Sequence, residues 1–198
     1  MREVKKPEVR KAEIVDAALA LFAEYGFEKT TVEAIVGRLG VAKGCFYHHF
    51  RSKNEVLEEC VTVLARRMER DYLAIIDDPA VAPGRRLVRY LDHNLELAAS
   101  PRAAGFLADL HAGAFEDIHR RVTDEVVAAL LPAMTRLLDD GVAAGEFDVG
   151  ATEATAVAIL GALTGLHKFY AGRPGLDLAR HRRTVLDVLA RILATELD

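Results

Sequence analysis

Residues 30–57 carry the pattern that most narrowly limits how this chain can fold. They hold two helix starts of the form Ser or Thr followed three residues later by Glu, at Thr30-Thr31-Val32-Glu33 and at Ser52-Lys53-Asn54-Glu55. Between them, Leu39-Gly40-Val41 predicts a tight turn, because Gly40 can take a positive φ. Two short helices joined by a glycine turn indicate a helix-turn-helix unit, with Thr30 as the first N-cap.

The rest of the chain also has helical periodicity. One apolar stripe precedes the unit and ends at a Gly26 C-cap: Ile14, Ala17, Ala18, Leu21, Phe22 and Tyr25. Later helices are predicted at about 43–50, 53–76, 84–99, 102–113, 115–144, 151–171 and 178–196. These elements predict an all-α fold. A three-helix domain with the helix-turn-helix unit (1–53) would be joined through a shared helix to a larger helical domain (54–198).

Charge separates the two predicted domains. Residues 1–53 hold 10 Lys and Arg against 7 Asp and Glu, whereas the whole chain has a net charge of −4. No acid lies between Glu33 and Glu55, a stretch that contains Arg38, Lys43, Arg51 and Lys53. A basic helical unit on an acidic protein favours a polyanionic partner, and duplex DNA is the leading candidate.

The second helix of the unit, near residues 43–50, has two different faces. Phe46 and Phe50 are four residues apart and share the face that we expect to pack on the first helix. Lys43, Tyr47 and His48 then point outward or along the edge. A phenol, an imidazole and an ammonium suit contacts with phosphates better than they suit plain solvent exposure.

The same residues resemble a known family. From Ala17 to Phe22, through Tyr25-Gly26-Phe27, Thr30-Thr31-Val32 and Gly40-Val41 to Lys43–Phe50 and Ser52-Lys53, the chain resembles the N-terminal domain of TetR-family transcriptional repressors. The resemblance covers about a quarter of the chain. It implies a homodimeric DNA-binding regulator with a near-palindromic operator, released by a small organic effector.

The resemblance also implies roles for individual residues. Phosphate or base contacts would come from Thr31, Lys43, Gly44, Cys45, Tyr47, His48, His49 and Lys53, with Lys53 clamping the DNA backbone. Ala42 stands where Ser often caps the recognition helix, so this helix start would lack a side-chain cap. Cys45 stands where Thr is common. Oxidation of Cys45 is an alternative role, but a small residue facing the groove explains it sufficiently.

Two C-terminal helices are candidates for a dimer interface. The helix at about 151–171 is rich in small residues, which allow close helix approach. The helix at about 178–196 presents a broad apolar surface: Val185, Leu186, Val188, Leu189, Ile192 and Leu193. Two such helices from each of two chains would form a four-helix interface. The alternative is that they only complete the core of one chain.

The middle helices mix aromatic, imidazole and apolar side chains, as a pocket for a small organic effector would. The candidate lining residues are Tyr90, His93, Phe106, Leu110, His111, Phe115, His119 and Met134. Most of these could equally be ordinary core residues. His111 and His119 have no acid beside them that would complete a metal triad, so no metal site is expected.

Other function classes have less support. The sequence has no phosphate-binding glycine loop and no nucleophile spaced from a base, so we expect neither an enzyme nor a cofactor. A helical adaptor whose basic part binds a protein or a membrane surface remains the main alternative. No apolar run is long enough to span a bilayer, and no signal-peptide core is present, so a cytoplasmic location is expected.

Overall fold

The structure is a computed structural model that describes residues 6–99, 116–170, 177–195 and 197. Helices occupy most of this part, which contains no β-strand, and the predicted all-α fold is confirmed. The helices are α1 (Pro7–Tyr25), α2 (Val32–Leu39), α3 (Lys43–His49), α4 (Lys53–Ile76), α5 (Pro83–Ala99), α6 (Glu116–Ala143), α7 (Thr152–Tyr170) and α8 (Leu178–Leu193). The helix predicted at 102–113 lies outside the described residues.

Several helix ends follow the predicted signals. Gly26 ends α1 with a φ of 81°, although its ψ of 162° is extended rather than helical. Ser52 Oγ accepts the Glu55 N–H at 3.2 Å at the start of α4, as predicted. The Glu55 carboxylate accepts the N–H of Arg51 at 2.6 Å, one residue earlier than in a standard capping box.

The end of α8 was predicted too late, at residue 196. The helix stops at Leu193 because Ala194 takes a left-handed conformation, with a φ of 49°. The Asp148 N–H donates to the Leu193 carbonyl at 3.1 Å, and the Thr195 N–H donates to the Ala190 carbonyl. These bonds satisfy carbonyls at the end of the helix, so no further helical turn is required to pair them.

The chain forms two compact units, which divide within α4 between Ala65 and Arg66 and within α6 between Val122 and Thr123. The domain limits 1–53 and 54–198 stay a prediction. In the first unit, the stripe of α1 packs with α2, α3 and the first half of α4. The fully buried side chains at the centre of this core are Ile14, Phe22, Ile35, Phe46, Phe50, Val56 and Leu57.

Tyr25 is the exception to the predicted stripe, because it is 54% exposed. It is the last residue of α1, where the chain turns at Gly26, and its hydroxyl bonds to the neighbouring Glu24 carboxylate. Val15 is buried in the same core, although the predicted stripe did not include it.

The second unit has its own apolar core, drawn from the second half of α4 and from α5 to α8. A buried guanidinium joins three of its helices. Arg86 of α5 donates to the Ile76 carbonyl at the end of α4 at 3.0 Å, and to the Asp140 carboxylate of α6 at 2.9 Å. Close packing near the end of α6 requires a glycine, because a Cβ on Gly141 would lie 2.1 Å from the Phe147 ring.

Cys60 makes the first unit less stable as the pH becomes alkaline. Its thiol is buried and donates to the Val15 carbonyl at 3.6 Å. Burial, more than the nearby Glu59 and Asp16 charges, raises the pKa of Cys60 from 9.0 to about 12. The folded state therefore keeps the thiol proton at pH values where the unfolded state loses it. The corresponding stability is complete below pH 9 and is lost as the pH rises toward 12.

We predict that Cys60→Ala flattens this alkaline loss. Between pH 8 and pH 10.5, the free energy of unfolding of the wild type should fall by about 2 kcal/mol more than that of the variant. Urea denaturation at the two pH values measures this difference. Parallel losses in both proteins would contradict the assignment to Cys60, whatever the variant's stability at pH 8.

Candidate functional site

The turn between α2 and α3 has the expected glycine geometry. Gly40 takes a φ of 63°, and its N–H donates to the Gly37 carbonyl at 3.1 Å. The Val41 N–H donates to the Val36 carbonyl, so the carbonyls of Val36 and Gly37 are satisfied before α3 begins. Helix α3 begins at Lys43 as predicted, and Ala42 provides no side-chain cap, which is also as predicted.

The N-cap of α2 is Thr31, and the prediction of Thr30 is wrong by one residue. Thr30 is buried, and its hydroxyl is within hydrogen-bond distance of the Gly26 carbonyl at 2.8 Å and the Leu21 carbonyl at 3.3 Å. Thr31 is exposed, and its Oγ1 accepts the Ala34 N–H at 3.1 Å. The acceptor role leaves the Thr31 hydroxyl hydrogen directed to solvent or to a bound anion.

Helix α3 separates its side chains as the sequence indicated. Phe46 and Phe50 are buried, with ring centroids 5.8 Å apart. Lys43, Gly44, Tyr47 and His48 are exposed, and Tyr47 has 51% of its surface open. Cys45 and His49 are half-buried. A Cβ on Gly44 would meet no atom within 4 Å, so this part of the α3 backbone faces open space.

Lys43 is held by an acid that the sequence had suggested only as a helix cap. Its Nζ lies 2.5 Å from the Glu33 carboxylate, between the starts of α2 and α3, and 5.8 Å from the centre of the Tyr47 ring. The hydrogen bond between them raises the pKa of Lys43 and lowers the pKa of Glu33. Both side chains are more than half exposed, so the pair is solvent-screened and can be exchanged for another partner.

The histidines at the end of α3 differ in their surroundings. The rings of His48 and His49 lie 5.0 Å apart, edge to face. Partial burial lowers the pKa of His49, and the nearby His48, Arg10 and Lys11 lower it further. His49 is therefore mostly uncharged at neutral pH.

Lys53 does not point into open solvent. Its ammonium donates to the carbonyls of Phe27, Glu28 and Thr30, at 2.8, 3.3 and 3.0 Å. The predicted phosphate contact of Lys53 thus competes with three hydrogen bonds inside the chain.

The predicted effector residues are only partly described. Phe106, Leu110, His111 and Phe115 lie outside the described residues. Tyr90 and Met134 are buried in the second unit, and His93 is half-buried there. His119 belongs to the first unit and is half-buried.

Tyr90 and His93 belong to a polar group inside the second unit that also includes two residues the sequence did not reveal. The ring of Tyr72 lies 4.9 Å from Tyr90 and 5.6 Å from His93. The Tyr72 hydroxyl donates to the Asn94 side-chain carbonyl at 2.8 Å, and the Asn94 amide donates to the Tyr90 carbonyl. Burial raises the pKa of Tyr90 to about 12, so its phenol stays protonated. Within the described part of the chain, the buried Nε2 of His93 has no hydrogen-bond partner.

An open depression of about 480 Å³ lies at the end of α8 and is lined by Asp187, Ala190, Arg191, Ala194 and Thr195, none of which is a predicted effector residue. Over the described ranges, no group of three or more His, Cys, Asp or Glu is arranged to hold a metal ion. None of the described helices is both long and apolar enough to cross a membrane.

Comparisons with known proteins agree with this geometry. Residues 14–60 match the family described as bacterial regulatory proteins, tetR family. The chain is 28% identical to the HTH-type transcriptional repressor Rv1474c of Mycobacterium tuberculosis, over 68% of this chain and 81% of that protein. It is also 37% identical to the repressor KstR2 of M. tuberculosis. That match spans only 36% of this chain and 36% of KstR2.

A solved structure is similar along most of the chain. SmeT, the repressor of the Stenotrophomonas maltophilia multidrug efflux pump SmeDEF, is 26% identical, with a TM-score of 0.67 over 93% of this chain and 88% of SmeT. The complex of SmeT with triclosan gives a TM-score of 0.69. The chain is thus similar to TetR-family regulators, and its match to the family covers residues 14–60. It is a DNA-binding transcriptional regulator rather than an enzyme, and repressors of this family bind operators and small effectors, typically as dimers.

Sequence reasoning missed the partners of the functional side chains more than the side chains themselves. Glu33 lies ten residues before Lys43, across a turn, and no spacing rule pairs them. Tyr72 and Asn94 lie on different helices. Only the four-residue spacing between Tyr90 and Asn94 gave any signal that these two residues share a face of α5.

We predict that operator binding strengthens as the pH falls, and that His49 contributes to this effect. The lowered pKa of His49 leaves it uncharged in the free protein at neutral pH, whereas a nearby phosphate would favour the charged imidazolium. Binding then takes up protons, so affinity should rise about three- to tenfold from pH 7.5 to pH 6.0. Fluorescence anisotropy with a labelled operator measures this change. His49→Gln should show a flatter profile, and a profile identical to wild type would remove His49 from the interface.

Proposed function

We propose that this protein is a homodimeric transcriptional repressor that leaves a near-palindromic operator when a small organic effector binds. The exposed face of α3 is the observation that carries the proposal. Tyr47 is more than half exposed while its neighbour Phe46 is fully buried, so the core fixes the direction in which Tyr47 points. An ordered, exposed tyrosine between Lys43 and His48 matches what phosphates accept from a protein.

In the proposed complex, α3 lies in the major groove. Lys43, Gly44 and Cys45 at its start approach base edges, and the Lys43 ammonium also neutralises a neighbouring phosphate. Tyr47, His48 and His49 hold phosphates. Thr31 contacts phosphate from the start of α2. The open space around Gly44 supports a close approach of the backbone to the DNA. The Cys45 thiol is a weak donor, so an apolar contact, such as one with a thymine methyl group, suits it better than a hydrogen bond.

The proposed dimer uses α7 and α8, with α7 providing most of the exposed apolar surface. Val157 and Phe169 are each 54% exposed, and Ala154, Ala158, Gly161 and Gly165 are exposed on the same helix. On α8, the chain's own core buries four of the six predicted residues and leaves Val188 and Ile192 half-buried. One chain reads few bases, and a dimer would read two half-sites about 34–36 Å apart.

The proposed effector binds in the second unit near Tyr90 and His93. The aromatic rings of Tyr72 and Tyr90 offer apolar contact area, and His93 Nε2, which bonds to none of the described residues, offers one polar contact. An effector with an aromatic or aliphatic body and one group able to bond to an imidazole nitrogen fits both features. The effector can change operator affinity by no more than the difference between its own affinities for the two conformers of the protein. Such a coupling free energy is typically about 1–3 kcal/mol.

Selection of binding sites from random duplexes tests the proposal most directly. The recovered sites should share a near-palindromic motif with half-sites one helical turn apart. Equal affinity for all duplexes would contradict a sequence-specific repressor.

The role of Tyr47 is tested with a matched pair of variants. Tyr47→Ala should weaken binding to the selected operator about tenfold or more, because it removes a contact to DNA. Inside the chain it removes the edge contact of the Tyr47 ring with Phe46, whose centroid is 5.3 Å away, and Phe46 itself stays buried. Tyr25→Ala removes an equally exposed tyrosine at the end of α1 and should leave affinity unchanged. Equal effects in the two variants would show that Tyr47 makes no special contact. Sedimentation confirms that both variants keep the wild-type mass.

The dimer surface is tested at Gly161. A Cβ there meets no atom of the other described residues within 4 Å beyond the backbone of its own helix, so Gly161→Arg should be tolerated by the folded chain. The long side chain should hold the partner α7 away and convert dimers to monomers in analytical ultracentrifugation. Gly150→Arg, which has the same open surroundings outside α7, is the control. If Gly161→Arg forms a dimer as tight as the wild type does, this face of α7 is not the dimer interface.

A further inference from the structure

The turn between α1 and α2 is tied to the first residue of α4 through Lys53. An ammonium has three N–H donors, and three backbone carbonyls of this turn lie within 3.3 Å of Lys53 Nζ. The same nitrogen lies 4.1 Å from the centre of the Phe27 ring, within the range of a cation–π contact. Lys53 therefore has its full set of donors engaged inside the first unit.

The turn that Lys53 holds leads directly into α2. Phe27 is buried, and its ring lies 5.2 Å from Phe22 of α1. The Thr30 N–H donates to the Phe27 carbonyl at 3.2 Å, and the Thr30 side chain bonds back to Gly26. The next residue is Thr31, the N-cap of α2. Thr30 thus holds the turn from the α1 side, and Lys53 holds it from the α4 side.

We infer that Lys53 is a positioning residue that sets the start of α2 for DNA binding and does not neutralise a phosphate. This inference rests on the proposed function and departs from the phosphate clamp that the family resemblance implied. To reach a phosphate, the ammonium would have to leave all three carbonyls, and its charged hydrogen bonds are stronger than the bonds from water that would replace them. Lys43 differs, because its single exposed acidic partner is easily exchanged.

The salt dependence of binding separates the two roles. Each phosphate contact contributes about −0.9 to the slope of log affinity against log salt, so losing one contact per subunit changes a dimer's slope by about 1.8. Lys43→Gln should show this change. Lys53→Gln should lower operator affinity about tenfold while keeping the wild-type slope, because the turn is displaced and no phosphate contact is lost. A slope change in Lys53→Gln equal to that of Lys43→Gln would overturn the inference, and so would unchanged affinity.

A measurement on the wild type covers the case in which Lys53→Gln does not fold. The ¹⁵N signal of the Lys53 ammonium, assigned with Lys53→Arg, should keep its position when operator is added, while that of Lys43 shifts. A shift of the Lys53 signal as large as that of Lys43 would assign Lys53 to the DNA.

Hydrogen exchange in the DNA-free protein separates a failure of this inference from a failure of the proposed function. If Lys53 holds the turn, Lys53→Gln should speed the exchange of the Thr30 amide and leave amides in α7 unchanged. Unaltered exchange at Thr30 refutes the positioning role even if the protein binds its operator. Fast exchange at Thr30 in a protein that selects no duplex refutes the repressor and leaves the local role of Lys53 standing.

Discussion

The buried aromatic and aliphatic core of the first unit is the constraint on which the candidate interface depends. Helices α2 and α3 contain 8 and 7 residues, fewer than the roughly 12–15 that an isolated helix needs to be stable in water. They are helical because Ile35, Phe46 and Phe50 lose their water-exposed surface in the core of the first unit. Burial of these side chains also determines which residues α3 presents on its opposite face.

The cations near the interface differ in how firmly the chain holds them. Arg38 and Lys43 pair with exposed acids, Glu24 and Glu33, in contacts that are individually weak in water. Lys53 makes several bonds in a partly buried setting. The formal charge of the stretch from Arg38 to Lys53 therefore overstates what a polyanion meets. Local geometry, more than the charge count, decides which cations are available.

Periodicity and capping residues predicted the helices well because they are local properties of the chain. The α1 stripe, the Gly40 turn and the start of α4 at Lys53 all follow from neighbours within four residues. The errors arose where a distant contact decided the outcome. Thr30 was assigned as a cap, but a carbonyl four residues earlier uses its hydroxyl. Tyr25 fits the stripe by spacing, yet the chain turns away directly after it. The end of α8 depends on Asp148, which no local rule connects to Leu193.

In the candidate site, too, local features could be predicted and distant contacts could not. The exposed residues of α3 could be predicted because a buried face implies its opposite, whereas the partners of Lys43 and Lys53 required the three-dimensional arrangement. The polar group around His93 needed two helices whose packing the sequence does not encode in any short motif. Half of the predicted effector residues lie outside the described part of the chain, so they stay predictions.

The thiols of the two cysteines differ in their access to solvent. Cys60 is enclosed in the core of the first unit, while Cys45 is partly open to solvent near the start of α3. A water-soluble alkylating reagent therefore meets one thiol in the native chain and the other only after the core opens. A fluorophore or spin label can thus be attached beside the exposed face of α3 without any engineered residue, and the rate of a second modification counts openings of the folded unit.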